Sequence, residues 1–321
     1  INIAIVALLY VGSIEINVGG MASGDVIALV NYMNQILVEL VKLANLIVQV
    51  SKALACAGRV QAVLDTTPGM AFPEKLLGEV PAEKSGAAVR FEHVSLTSAG
   101  AGAPSLSDIS FTAKRGQTIG VIGGTGSGKS SLVNLIPRFY DATDGTVEIM
   151  GRDARNYPRE ELRSKAAMVM QKAQLFGGTI RANLLWGNKN ATDAEFVKAK
   201  PLGLDEPVEQ GGRNLSGGQK QRLTIARALV GKPEILILDD SASALDYATD
   251  AALRKALAAL PGSLTVFIVS QRAASLQHAD QILVLDDGHL VGIGTHDQLR
   301  QTCPVYEEIY ESQFKKGDAQ K

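Results

Sequence analysis

Residues 123–131 read Gly-Gly-Thr-Gly-Ser-Gly-Lys-Ser-Ser. The first eight fit G-x-x-x-x-G-K-[ST]. They stand between a buried-strand pattern at Thr118–Ile122 and a helical stretch at Ser130–Ile136 that Pro137 stops. Glycines lack a Cβ, so their backbone N–H groups wrap closely around phosphate oxygens. The helix start at Gly128 adds the positive end of its dipole. In such a loop Lys129 reaches the β- and γ-phosphates of ATP, and the Ser130 hydroxyl binds Mg²⁺. The candidate ATP-binding residues are therefore Gly123, Gly124, Thr125, Gly126, Ser127, Gly128, Lys129, Ser130 and Ser131. A second group lies at Ile235-Leu-Ile-Leu-Asp239-Asp240, four apolar residues ending in two carboxylates. Asp239 suits a hard cation such as Mg²⁺, held directly or through water. Asp240 is placed to face an attacking water.

These groups need a scaffold. Val89–Val94, Ile109–Ala113, Thr118–Ile122, Ile235–Leu238, Thr265–Val269 and Ile282–Leu285 are short β-branched or apolar runs, and helical stretches separate the later ones. That alternation predicts an α/β domain with a mostly parallel sheet. Net charge is −1, so nothing points to nucleic acid. Cys56 and Cys303 lie far apart, and His93, His278, His289 and His296 have no metal-ligand spacing.

The first fifty residues differ from the rest. Their only charged residues are Glu15, Asp25, Glu39 and Lys42. Ile1–Val18 is nearly all apolar and stops at Gly19-Gly20. Val26–Val50 as a helix is about 37 Å long, enough to cross a bilayer core. Asn31, Gln35, Lys42, Asn45 and Gln49 recur at helical spacing, a polar stripe that in a membrane faces protein or water. A signal peptide lacks its basic start and cleavage pattern here. Buried helices of a soluble domain are a second alternative. Two membrane spans are the reading adopted. The chain opens with Ile and enters mid-span, so it is read as the C-terminal piece of a longer membrane protein. The expected divisions are 1–65 (membrane spans and an emerging helix), 66–86 (a Pro/Gly linker) and 87–321 (the nucleotide domain).

Leu215-Ser-Gly-Gly-Gln219 is the most specific motif. The order phosphate loop, Gln171 after a strand, LSGGQ, strand with paired acids, then Ser243-Ala-Leu-Asp246 resembles the ATP-binding cassette (ABC) proteins over roughly Ala87 to Gln313. The resemblance implies a P-loop domain with an antiparallel β subdomain and a helical subdomain, preceded by transmembrane helices. It implies an ATPase subunit of an exporter, multi-pass in the cell membrane, with its nucleotide domain in the cytoplasm. Gln171 joins Ser130 and Asp239 at Mg²⁺, and joins Asp240 and Gln271 as catalytic groups. Asp246 lies in the loop that follows the acids. Two half-transporters pair head to tail, so that Leu215, Ser216, Gly217, Gly218 and Gln219 touch the partner's ATP. Physical logic agrees: Ser216 and the Gly217/Gly218 backbone open a helix, a second anion-binding terminus without a phosphate of its own chain to hold.

Three positions depart from the family pattern. Asp240 stands where Glu is usual, Gln271 where His is usual, and Ser98 where an aromatic stacks on adenine. No aromatic residue occurs between Phe91 and Phe111. All three fall in this chain's own ATP site, while LSGGQ is intact. The split resembles the degenerate-site subunit of heterodimeric exporters, with a drifted homodimer as the alternative. A regulatory subunit that binds ATP and hydrolyses little is the second functional reading. The stretch Ala191–Gly203 is also short by roughly three helical turns against relatives.

Overall fold

The computed structural model describes residues 2–67, 69–78, 86–98, 100–188, 203–240, 253, 255–257 and 263–318, with side chains to Gln313. The chain divides into two compact units, Ile1–Gly69 and Met70–Lys321.

The first unit is a helical hairpin. Helix α1 (Asn2–Val18) ends at Gly19, whose φ of 76° lets the chain turn, and α2 (Ser23–Leu64) runs back. Asp25 in the first turn of α2 accepts a hydrogen bond from the Ala22 N–H at 3.0 Å, which caps the helix. A Cβ on Gly12 would lie 2.8 Å from Val26 Cγ1, so the missing side chain is what lets the two helices meet. With 42 residues, α2 spans about 63 Å, twice the hydrocarbon thickness of a bilayer. It is long and apolar enough to cross a membrane and to continue beyond it. At 17 residues, α1 is a shorter apolar helix. Ile27, Tyr32, Ile36, Leu40, Leu43 and Ile47 are all exposed in this unit. Such a continuous apolar surface calls for lipid or further protein.

In the second unit, β1 (Ala87–Leu96) pairs antiparallel with β2 (Leu106–Lys114) and with β4 (Asp144–Ile149), and β4 with β5 (Arg152–Asp153). Strand β3 (Thr118–Gly123) belongs to a six-stranded sheet ordered β12-β11-β3-β10-β9-β6. Its other members are β6 (Ala166–Val169), β9 (Ile235–Asp239), β10 (Thr265–Val269), β11 (Gln281–Asp286) and β12 (His289–Gly294). All neighbours in it are parallel except the edge pair β11–β12. Strands β3, β9, β10 and β11 are buried along nearly their whole length, as befits a sheet covered on both faces. Helices α3 (Lys129–Leu135) and α4 (Arg159–Lys165) follow β3 and β5. A small pair, β7 (Gly178–Thr179) and β8 (Pro207–Val208), joins α5 (Ile180–Leu185) and α6 (Gly217–Val230) around Leu175, Ile180, Leu184, Val208, Leu215 and Val230. Helices α7 (His296–Thr302) and α8 (Pro304–Asp318) close the chain.

The fold is the expected α/β arrangement with its antiparallel and helical parts. Helix α3 begins one residue earlier than its pattern suggested, and Pro137 follows its end. Part of the stretch read as linker lies with the second unit. The buried Arg138 donates to the Ala71 carbonyl at 2.9 Å, and the Arg138 and Arg159 guanidinium groups sit 4.3 and 4.8 Å from the Phe72 ring centroid. The Leu77 N–H donates to the Asn156 carbonyl at 3.0 Å. These contacts strap Met70–Gly78 along the rest of the second unit.

Candidate nucleotide site

Four adjacent parallel strands end on one side of the sheet, and each delivers a piece of the site there. Strand β3 delivers the phosphate loop, β10 delivers Ser270 and Gln271, β9 delivers Asp239 and Asp240, and β6 delivers Gln171. This is where open α/β sheets bind ligands, beyond the carboxyl ends of their strands. A cleft of about 450 Å³ opens at that edge, lined by Thr125, Lys129, Ser130, Gln171, Asp239 and Gln271 among others.

At two positions the phosphate loop has no room for a side chain, since a Cβ on Gly123 would clash with the Leu285 carbonyl oxygen. Gly128 sits at φ 94° as the residue before α3, and a Cβ there would come 2.7 Å from the Ser105 carbonyl oxygen. Lys129 is only 9% exposed. Its Nζ donates to the carbonyls of Gly123 and Gly124 at 2.9 and 2.5 Å and to Ser127 Oγ at 3.4 Å. The ammonium thus curls over the cradle that the glycines make. Burial lowers its pKa, opposed by the negative charges of Asp240 and Asp239.

The acids are linked to the polar groups that the sequence grouped with them. Ser130 Oγ donates to Asp239 Oδ1 at 3.2 Å, and Gln171 Nε2 donates to Asp240 Oδ2 at 3.1 Å. Burial pushes both carboxyls above the ordinary range. The Ser130 bond opposes that shift at Asp239, as does the Gln171 bond at Asp240, where the Arg272 charge also helps. Asp240 follows the strand at φ 45°, a left-handed conformation uncommon for a residue with a Cβ. The glycine cradle, the buried cation and an all-oxygen donor set from Ser130, Asp239 and Gln171 fit a nucleotide phosphate with Mg²⁺.

The remaining candidates lie elsewhere. Ser216 caps α6: its Oγ accepts from the Gln219 N–H at 3.3 Å, and Gln219 Oε1 accepts from the Ser216 N–H at 3.0 Å. The Gly217 and Gly218 N–H groups form the first turn. None of Leu215–Gln219 lines the cleft. Ser98 is exposed and does not line it either; on that side the wall is Pro104 and Ser105, which no sequence pattern marked. Among the described residues no aromatic ring borders the cleft. Asp246, with Ser243–Leu245, lies outside the described residues, as does 191–202 of the shortened stretch.

Replacing Lys129 by alanine removes a charge-assisted contact from a partly dry site. ATP affinity is expected to fall by about ten- to a hundredfold. Nucleotide titration of the purified chain measures this, and unchanged affinity would contradict the phosphate-loop assignment.

Residues 106–243 match the ABC transporter family. The chain is 39% identical over 326 residues to an ABC transporter ATP-binding protein of Mycobacterium tuberculosis (strain ATCC 25618 / H37Rv), covering 98% of this chain and 56% of that protein. It is 36% identical over 330 residues to an ATP-dependent lipid A-core flippase of Xanthomonas campestris pv. campestris (strain 8004), covering 99% of this chain and 55% of the flippase. Its fold matches a bacterial Atm1-family ABC exporter solved with ATP bound, at a TM-score of 0.74 and 29% identity, over 92% of this chain and 53% of that one. The second unit is thus the ATP-binding domain of an ABC transporter. Residues 106–243 form a domain of the ABC transporter family, and the chain spans little more than half the length of the relatives it matches.

Proposed function

We propose that this chain is the ATPase half of a membrane exporter that works as a head-to-tail dimer. The observation that carries the reading is the separation of two anion sites in one chain. The phosphate loop lies in a cleft with the paired acids. The capped start of α6, with the Gly217 and Gly218 N–H groups, lines no part of that cleft. A second chain brings the two together: its phosphate loop faces this α6, and its own signature helix faces this cleft. Lys129 and the loop N–H groups hold the β- and γ-phosphates. Ser130, Asp239 and Gln171 hold Mg²⁺, which neutralises charge on the phosphates. Asp240 orients the water and Gln271 donates to the γ-phosphate. The hairpin of α1 and α2 supplies the final spans of the membrane domain, with the nucleotide domain on the cytoplasmic side.

The pairing is proposed as heterodimeric. Asp240 is one methylene shorter than the usual Glu, Gln271 carries no charge, and among the described residues no ring borders the cleft where adenine would stack. Each change weakens this chain's own site and none touches α6. Turnover therefore falls mainly to the partner's site, which this chain's Leu215–Gln219 completes. The head-to-tail geometry is tested by cross-linking. With Cys56 changed to serine, Ser216→Cys should link to a cysteine placed in the partner's phosphate loop, and nucleotide should increase the yield. Cross-links between the two Ser216→Cys equivalents, with none to the phosphate loop, would contradict it.

A further inference from the structure

The loop that carries Gln271 is held from behind by the last helix. Strand β10 ends at Val269, and the Ser270 N–H donates to the Val121 carbonyl at 3.1 Å on the neighbouring strand. Ser270, 3% exposed, accepts from the Arg272 N–H at 2.9 Å. From the other side comes Gln313 of α8. Its Oε1 accepts from the Ala273 N–H at 2.9 Å, and its Nε2 donates to the Gln271 carbonyl at 2.7 Å. One amide thus bridges the backbone on both sides of Arg272, the residue after Gln271. Gln271 lines the cleft, whereas Gln313 does not.

The helix that presents Gln313 is well anchored. Tyr306, fully buried, shares a core with Ala273, Leu276 and Leu299, and its hydroxyl lies 2.7 Å from His296 Nδ1. Arg300 pairs with Glu307 through two bonds of 3.0 Å. Tyr306, Ile309 and Tyr310 precede Gln313 by seven, four and three residues, so all four share one face of α8. The anchored turns therefore fix where the Gln313 amide stands.

We infer that Gln313 is a positioning residue: it sets the backbone that aims the Gln271 side chain at the γ-phosphate, so that α8 tunes how long ATP is held at this chain's own site. The inference rests on the proposed role of Gln271. A Gln271 whose backbone is free to turn offers its amide to the phosphate less of the time. The effect is specific to ATP, because ADP has no γ-phosphate for Gln271 to meet.

The test measures release of labelled ATP and of labelled ADP from this chain's site in the full-length assembled exporter. The variants are Gln313→Ala, Gln313→Met, Gln271→Ala and the double change Gln271→Ala with Gln313→Ala. Methionine keeps the length and bulk of Gln313 and loses both hydrogen bonds, which separates bonding from packing. Both Gln313 variants should speed ATP release about three- to tenfold and leave ADP release unchanged, the scale of one or two lost hydrogen bonds. In the Gln271→Ala background, Gln313→Ala should add nothing, the mark of two residues acting through one contact. Faster ATP release by Gln271→Ala but not by Gln313→Ala would overturn the inference and leave the role of Gln271 standing. No effect of Gln271→Ala would overturn both. Equal acceleration of ATP and ADP, or additive effects, would make Gln313 a general structural residue and overturn the inference.

Discussion

Replacing Gly217 by aspartate is expected to cut ATP turnover of the assembled exporter by a hundredfold or more, while leaving ATP binding to the unpaired chain within about twofold. The first turn of α6 makes this variant informative. A Cβ on Gly217 meets nothing within 4 Å, and its φ is not left-handed, so the new side chain fits without strain. A carboxylate at the first helical position interacts well with the helix dipole, by about 0.3–1 kcal/mol, so the fold gains rather than loses. In the proposed head-to-tail dimer the same carboxylate stands where the partner's phosphate would dock, and it would repel it. Preorganised donors at such a position are worth about 10²–10³ in rate for a single group. Ser216→Arg should have a similar effect on turnover, with loss of the cap costing about 1 kcal/mol of helix stability besides. Binding in the unpaired chain and ATPase rate in the complex are the two quantities to compare. Equal damage to both would mean that α6 acts within its own chain.

Much of the site was legible because each part is a short motif at a strand end. The phosphate loop, the acids after Leu238 and the Gln271 position are local patterns, and the parallel sheet necessarily gathers the carboxyl ends of its strands. The signature was legible for a related reason: Ser216 and Gln219 form a capping box within four residues. The features missed depend on contacts distant in sequence. Gln313 meets the Gln271 carbonyl across 42 residues, and nothing around Gln313 marks it. Arg138 reaches back 67 residues to the Ala71 carbonyl, a contact invisible when Thr66–Gly86 is read as linker from Pro68, Pro73, Pro81 and Gly69. The antiparallel edge at β12 was hidden as well, since the glycines Gly292 and Gly294 break its apolar alternation. At Asp240 the sequence holds no hint of the left-handed φ at which the chain leaves the strand.

In the proposed heterodimer, asymmetry between the two ATP sites would follow from small distances. Aspartate at 240 draws the carboxylate back by roughly 1.5 Å, about one C–C bond, relative to glutamate. A displacement of about 1 Å at a reacting centre can cost on the order of a hundredfold. Loss of a positioned base altogether costs on the order of 10²–10⁴-fold. Gln271 donates a hydrogen bond without a positive charge, so it stabilises developing negative charge less than histidine could. This chain's site is therefore expected to hold ATP through many cycles while the partner's site fires. The decisive measurement is steady-state ATPase of the assembled exporter with one acid neutralised at a time. Neutralising the partner's catalytic acid should collapse turnover, by on the order of a hundredfold or more, whereas Asp240→Asn should change it by no more than about twofold. If Asp240→Asn abolishes turnover as completely as the partner's substitution, both sites are catalytic and the asymmetric engine proposed here is wrong.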